Sequence, residues 1–186
     1  MTSVIARLKR LRRDDRGVSA VEFAFIAPLM ILFYFGLAET TQVMMAERKA
    51  IRTASAVGDI LAQTAEVKVT GAGGIDDVFD MAETLMTPFP AGTQLKICVA
   101  SITKSSTGAL SVTWRRVKNA ATCPGVGPTT EPVPADLIAN GESVVMSRVT
   151  YIYVGPTNMV IRTDPTFTKT FYLRPRMSNV VTCVGC

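Results

Sequence analysis

Between Gly17 and Glu39 the chain reads VSAVEFAFIAPLMILFYFGLA, an apolar run interrupted by a single charge, Glu22, and a single proline, Pro28. As a helix rising about 1.5 Å per residue, residues 18–38 extend about 31 Å. The hydrocarbon core of a bilayer is ~30 Å thick, so the run has the length of one crossing. The sequence therefore predicts a membrane-spanning helix at its start, and the remaining residues are organised around it.

The residues before the run carry much of the charge. Arg7, Lys9, Arg10, Arg12, Arg13 and Arg16 precede Gly17, opposed only by Asp14 and Asp15, so about +1 of the net +5 belongs to the rest of the chain. Basicity confined to one flank of an apolar segment is a topology signal. The positive-inside rule holds residues 1–17 cytoplasmic and places everything after Glu39 outside. This distribution argues against a nucleic-acid partner, because no basic surface remains on the folded part. The four cysteines, Cys98, Cys123, Cys183 and Cys186, all fall on the outside, where disulfides form and persist.

Beyond the apolar run the helical pattern continues. Val43, Ala46, Ala50, Ala54, Val57 and Leu61 recur at spacings of three and four, marking one face of an amphipathic helix. A continuous helix from about residue 18 to about 65 is expected, with a soluble half lined by small residues. Gly71-Ala72-Gly73-Gly74 ends it by turn composition. A second helix is expected at 75–86, with Ile75, Val78, Phe79, Ala82 and Leu85 on its apolar face. Asp76, Asp77 and Asp80 favour its N-terminal dipole, and Thr87-Pro88 stops it.

From Leu95 the period changes to two. Strands are expected at about 95–103, 109–118, 143–154 and 166–173, the third apolar on both faces and so interior to a sheet. Residues 119–142, rich in Pro, Gly, Thr and Ala, read as a long loop with one helical turn at Ala135–Ala139. Helices followed by hairpin-connected strands define an α+β domain, a long helix packed on a small antiparallel sheet.

Chemistry is limited by what is missing. With no histidine in the chain, Ser-His-Asp and Cys-His catalysis and imidazole-containing zinc sets are excluded. The glycines at 71–74 and 125–127 lack phosphate-cradle spacing and context. Asp76, Asp77, Asp80 and Glu83 read as a solvated face. No enzymatic activity, cofactor, metal or small-molecule substrate is expected. Cys183-Val184-Gly185-Cys186 has the spacing of a redox pair, but a reactive thiol needs a helix N-terminus or a nearby cation. Four cysteines permit three pairings. Spacing favours Cys98–Cys123 across a strand and a turn, with Cys183–Cys186 as the second bridge; a four-thiolate zinc site and a redox role are the alternatives.

Gly17 followed by Val18-Ser19-Ala20-Val21-Glu22-Phe23 resembles the processing site of type IV prepilins. The wider string Arg16-Gly17, Ala20-Val21-Glu22-Phe23-Ala24, Pro28, Gly36 and Glu39 is similar to the TadE-like minor pilins of tight-adherence (Flp-type) pilus systems. The Tyr151/Tyr153 strand and the ending Tyr172-Leu173-Arg174-Pro175-Arg176 also fit. The resemblance implies an inner-membrane protein cut between Gly17 and Val18 by a prepilin peptidase, with other pilins and the pilus assembly platform as partners. It also implies that Glu22, fifth residue of the cut chain, pairs with the new α-amine of Val18 on its own or a neighbouring subunit. Within the span, Val18, Phe23, Pro28, Gly36 and Ala38 are the expected bilayer-facing or packing positions; Pro28 removes one helical hydrogen bond there.

The expected organisation is thus a basic cytoplasmic leader at 1–17, a transmembrane helix at 18–38, its amphipathic continuation at 39–66 and a periplasmic α+β domain at 67–186. The chain is larger than the major Flp pilins, which favours a minor or assembly component, one that the resemblance allows to be carried into the pilus, over the bulk subunit. Two rivals make different use of the same run. One is an unprocessed single-pass envelope scaffold of the same system. The other is a secreted binding protein whose signal peptide is cut after Ala38, where Gly36-Leu37-Ala38 supplies small residues.

Overall fold

The computed structural model describes residues 17–155 and 160–186, so the basic cluster from Arg7 to Arg16 lies outside the described residues. Helix α1, Val18–Ala62, runs without interruption through Pro28. It ends a few residues before the expected boundary, at Gln63, whose backbone N–H bonds to the Ile60 carbonyl at 3.2 Å. The Arg176 backbone N–H then satisfies the Ala62 carbonyl at 2.8 Å, and the Arg176 guanidinium pairs with Asp59. Helix termini leave carbonyls without intrahelical partners, and here the C-terminal part of the chain supplies one.

The two halves of α1 meet different surroundings. Residues 17–34 are exposed apart from a half-buried Ala27, whereas Glu39, Ala46, Ala50, Ala54, Val57 and Leu61 form a buried stripe. Small residues on that stripe let the backbone approach the sheet. At Gly58 the approach is closest: a Cβ there would lie 2.4 Å from Leu173 Cδ1 and 3.1 Å from Ser147 Cβ.

Helix α2, Ile75–Met86, carries Asp76 and Asp77 in its first turn and stops before a cis Thr87–Pro88 bond. Its buried face is Ile75, Val78, Phe79, Ala82 and Met86. Leu85, expected on that face, is exposed, and Met86 takes its place in the core. The acidic face is not merely solvated: Lys118 bridges Asp80 at 3.2 Å and Glu83 at 2.8 Å, tying α2 to the sheet.

Among the described residues there are seven strands, numbered in chain order: β1 (Glu66–Lys68), which lies between the two helices, β2 (Leu95–Lys104), β3 (Leu110–Lys118), β4 (Gly127–Pro128), β5 (Ser143–Ile152), β6 (Thr166–Leu173) and β7 (Thr182–Val184). Five form an antiparallel sheet in the order β4-β3-β2-β5-β6. The architecture is therefore α+β, a long helix and a short one against a small antiparallel sheet. β5 is interior, as its doubly apolar pattern predicts, with β2 at the centre. The β2–β3 hairpin turns at Ser105–Gly108, where Gly108 takes φ +88° and donates its N–H to the Ser105 carbonyl. A positive φ of this kind costs an L-residue strain that glycine avoids.

Both sheet faces are buried. Leu95, Ile97, Val99, Trp114, Val145, Val149 and Tyr151 face the helices, and Cys98, Ala100, Ile102, Val112, Val144 and Met146 form a second core behind. The segment 119–142 covers that second core through Val133, Leu137 and Ile138, so the expected loop is a covering layer. It contains β4, and its helical turn is shorter than expected, a 3-10 turn at Ala135–Leu137. Two elements were invisible in the periodicity: β1 and β7 pair in parallel as a three-residue ribbon, with Val67 opposite Cys183. Three residues are too few for an alternation to register.

Candidate membrane helix and its junction with the folded domain

Helix α1 is long and apolar enough to cross a membrane, and none of its most apolar stretch is buried within the protein. Phe23, Phe25, Ile26, Leu29, Phe33, Tyr34 and Leu37 all expose more than half of their surface. A fully exposed apolar helix is unstable in water and at home in lipid. Gly17 stands at its N-cap, where among the described residues no atom lies within 4 Å of a Cβ position, and Val18 is exposed. Glu22 is exposed one turn in and has no hydrogen bond or ion pair among the described residues. Pro28, with Ala24, Ala27 and Ile31, lines a shallow apolar groove along the helix.

The junction with the folded domain begins at Gly36. A Cβ at Gly36 would lie 3.8 and 3.9 Å from the two methyl groups of Val160, in the connection between β5 and β6. Three residues on, the Glu39 carboxylate is buried and accepts the backbone N–H groups of Val160 at 3.0 Å and Ile161 at 2.8 Å. Charge-assisted bonds of this type are among the stronger hydrogen bonds in proteins. Thr40 and Thr41 turn their hydroxyls back onto the carbonyls of Gly36 and Leu37, both at 2.8 Å.

One turn higher, the Tyr153 hydroxyl donates to Gln42 Oε1 at 3.4 Å, and its ring meets Phe89 edge-on. Burial, reinforced by the Glu39 charge, raises the Tyr153 pKa above the usual phenol value. Lys169 of β6 then pairs with Glu47 at 2.7 Å. Polar contacts at Glu39, Gln42 and Glu47 thus lock α1 to the β5–β6 side of the sheet. The resemblance had singled out Glu39 only as part of a string; its role as a backbone acceptor depends on a segment more than a hundred residues away.

None of the cysteines is among the residues of this junction. Cys98 of β2 bonds Cys123, with Cα atoms 5.5 Å apart, and Cys183 of β7 bonds Cys186, with Cα atoms 5.8 Å apart. The first bridge fastens the covering segment 119–142 to the back of the sheet. All four cysteines are taken up in these two bridges.

These features define a class: a protein with one exposed apolar helix, long enough to cross a membrane, that continues unbroken into an α+β domain. Residues 17–59 match the family model described as TadE-like protein, so the N-terminal helix is TadE-like. The match starts at the N-cap glycine and stops just short of the end of α1, covering less than a quarter of the chain and none of the sheet. No curated protein and no solved structure gives a significant match.

Proposed function

We propose that this chain is a minor pilin or assembly component of a tight-adherence pilus system, without enzymatic activity. Residues 18–38 sit in the inner membrane, the N-terminus is cytoplasmic and the α+β domain is periplasmic. The observation that carries this reading is that the TadE-like match begins at the Gly17-Val18 dipeptide and runs along the exposed apolar helix into its buried half.

In this reading a prepilin peptidase cuts between Gly17 and Val18, and the α-amine released becomes the partner of Glu22. Residues four apart share a helix face, so the carboxylate is within reach of its own amine or of one on a neighbouring subunit. Opposite charges attract far more strongly in a low-dielectric setting than in water, and the pair sets the axial register of stacked subunits. The apolar half of α1 is the part that other pilins contact, and the soluble half carries the domain on the same rod.

N-terminal sequencing of the protein isolated from cells tests the reading. A start at Val18 supports it; a start at Glu39 identifies a secreted protein, and one at Met1 or Thr2 an uncut anchor. Glu22→Gln is expected to leave cleavage largely intact and to impair piliation, scored by electron microscopy. Normal pili in that variant would remove the charge pair.

A further inference from the structure

The β5–β6 connection meets α1 unusually low on the helix. Val160 packs on Gly36, two residues inside the proposed span of 18–38. Two residues are about 3 Å of helix rise, so a side chain lying beside Gly36 shares its depth and falls below the level of Ala38. Val160 remains 44% exposed there, and with Leu32, Phe33, Leu37 and Thr40 it borders an apolar groove. We propose that Val160 is a second membrane contact, inserted among the acyl chains of the outer leaflet beside α1, with lipid filling the groove.

The backbone chemistry supports this placement. Irregular backbone entering a membrane must have its polar groups satisfied, since no water is available to do so. The N–H groups of Val160 and Ile161 are both taken by the Glu39 carboxylate, and the Thr40 hydroxyl is spent on the Gly36 carbonyl. Glu39 itself is withdrawn from solvent, at 5% exposure. At Val160 the methyl groups are left outward while the N–H is turned inward onto Glu39, as a lipid-facing position requires. This seating also gives the domain two attachments to the bilayer, which fixes its tilt.

The inference rests on residues 18–38 crossing the membrane, so its test carries a control for that reading. The full chain is reconstituted in phosphatidylcholine–phosphatidylglycerol vesicles whose acyl chains are brominated near the carbonyl end, and tryptophan quenching is read in Phe33→Trp and Val160→Trp. The unsubstituted chain supplies the baseline, its one tryptophan, Trp114, being buried in the domain core. Both variants are expected to lose fluorescence relative to that baseline. Combining Val160→Trp with Glu39→Ala, which removes the acceptor, is expected to restore much of the signal at 160 while Phe33→Trp stays quenched. Quenching at 33 without quenching at 160 overturns the proposal and leaves the membrane crossing standing, as when the groove is filled by a helix of a neighbouring copy. Absence of quenching at both positions overturns the crossing and the proposal together.

Discussion

At the scale of single residues, Gly58 and Glu39 do most to define how α1 meets the domain. Gly58 would ordinarily weaken a helix by about 1 kcal/mol relative to alanine, and it is tolerated because the sheet leaves no room for a side chain. The tip of Leu173 can rotate away from a methyl group, but Ser147 Cβ is fixed to a central backbone. Gly58→Val is therefore expected to lower stability by about 1–3 kcal/mol, the usual cost of overpacking, and Gly58→Ala by less. Urea denaturation of the full chain in detergent, followed by Trp114 fluorescence, checks both. Equal stability of the valine variant would mean that α1 does not sit this close to β5 and β6.

Among the elements, the covering segment 119–142 behaves least like its sequence. Read alone it is a Pro- and Gly-rich loop, yet Ile138 is buried against the second core and Cys98–Cys123 bolts the segment down. Arg148 of β5 adds a polar tie, reaching Glu131 at 2.7 Å while both side chains are largely covered. Removing the bridge by Cys98→Ala with Cys123→Ala is expected to cost ~3–4 kcal/mol in the chain-entropy picture, for a closed loop of about 25 residues. The Cys183–Cys186 bridge closes far less chain and should contribute much less to equilibrium stability. Denaturation of the two double variants, with peptide mapping under non-reducing conditions, separates these contributions. The helices and four long strands were legible in advance because each carries its own period over eight residues or more. The covering role was not, because it depends on which apolar side chains of a distant sheet still need burying.

For the molecule as a whole, Tyr151, Tyr153, Tyr172 and Lys118 share one direction of shift, upward. Burial raises Tyr151, and secondarily its neighbour Tyr153 does so; burial likewise raises Tyr153 and Tyr172, helped by the charges of Glu39 and Glu131 respectively. For Lys118, burial pulls the pKa down, but the hydrogen bonds and charges of Glu83 and Asp80 together outweigh it, and the net shift is upward. Each group thus holds its proton more tightly folded than unfolded. The folded state binds more protons above the unfolded values near pH 10, and stability falls as pH rises. These contributions are fully present below that range and are lost as pH climbs through the raised values. Thermal unfolding is expected to show a flat response from these groups near neutrality and a decline above about pH 10, shallower in Tyr153→Phe. A decline of equal steepness in that variant would exclude the buried phenol as a contributor.

The sequence by itself determined the long helix, its division into a lipid-compatible half and a small-residue half, and the α+β order, since length, hydropathy and period are local properties of the chain. The TadE-like family match is equally local, covering residues 17–59. The tertiary structure alone decided the β4-β3-β2-β5-β6 order, the β1–β7 ribbon and the seating of Val160 and Ile161 on Glu39. Those depend on backbone groups and packing surfaces far apart in the chain, whose partners exist only once the sheet has formed.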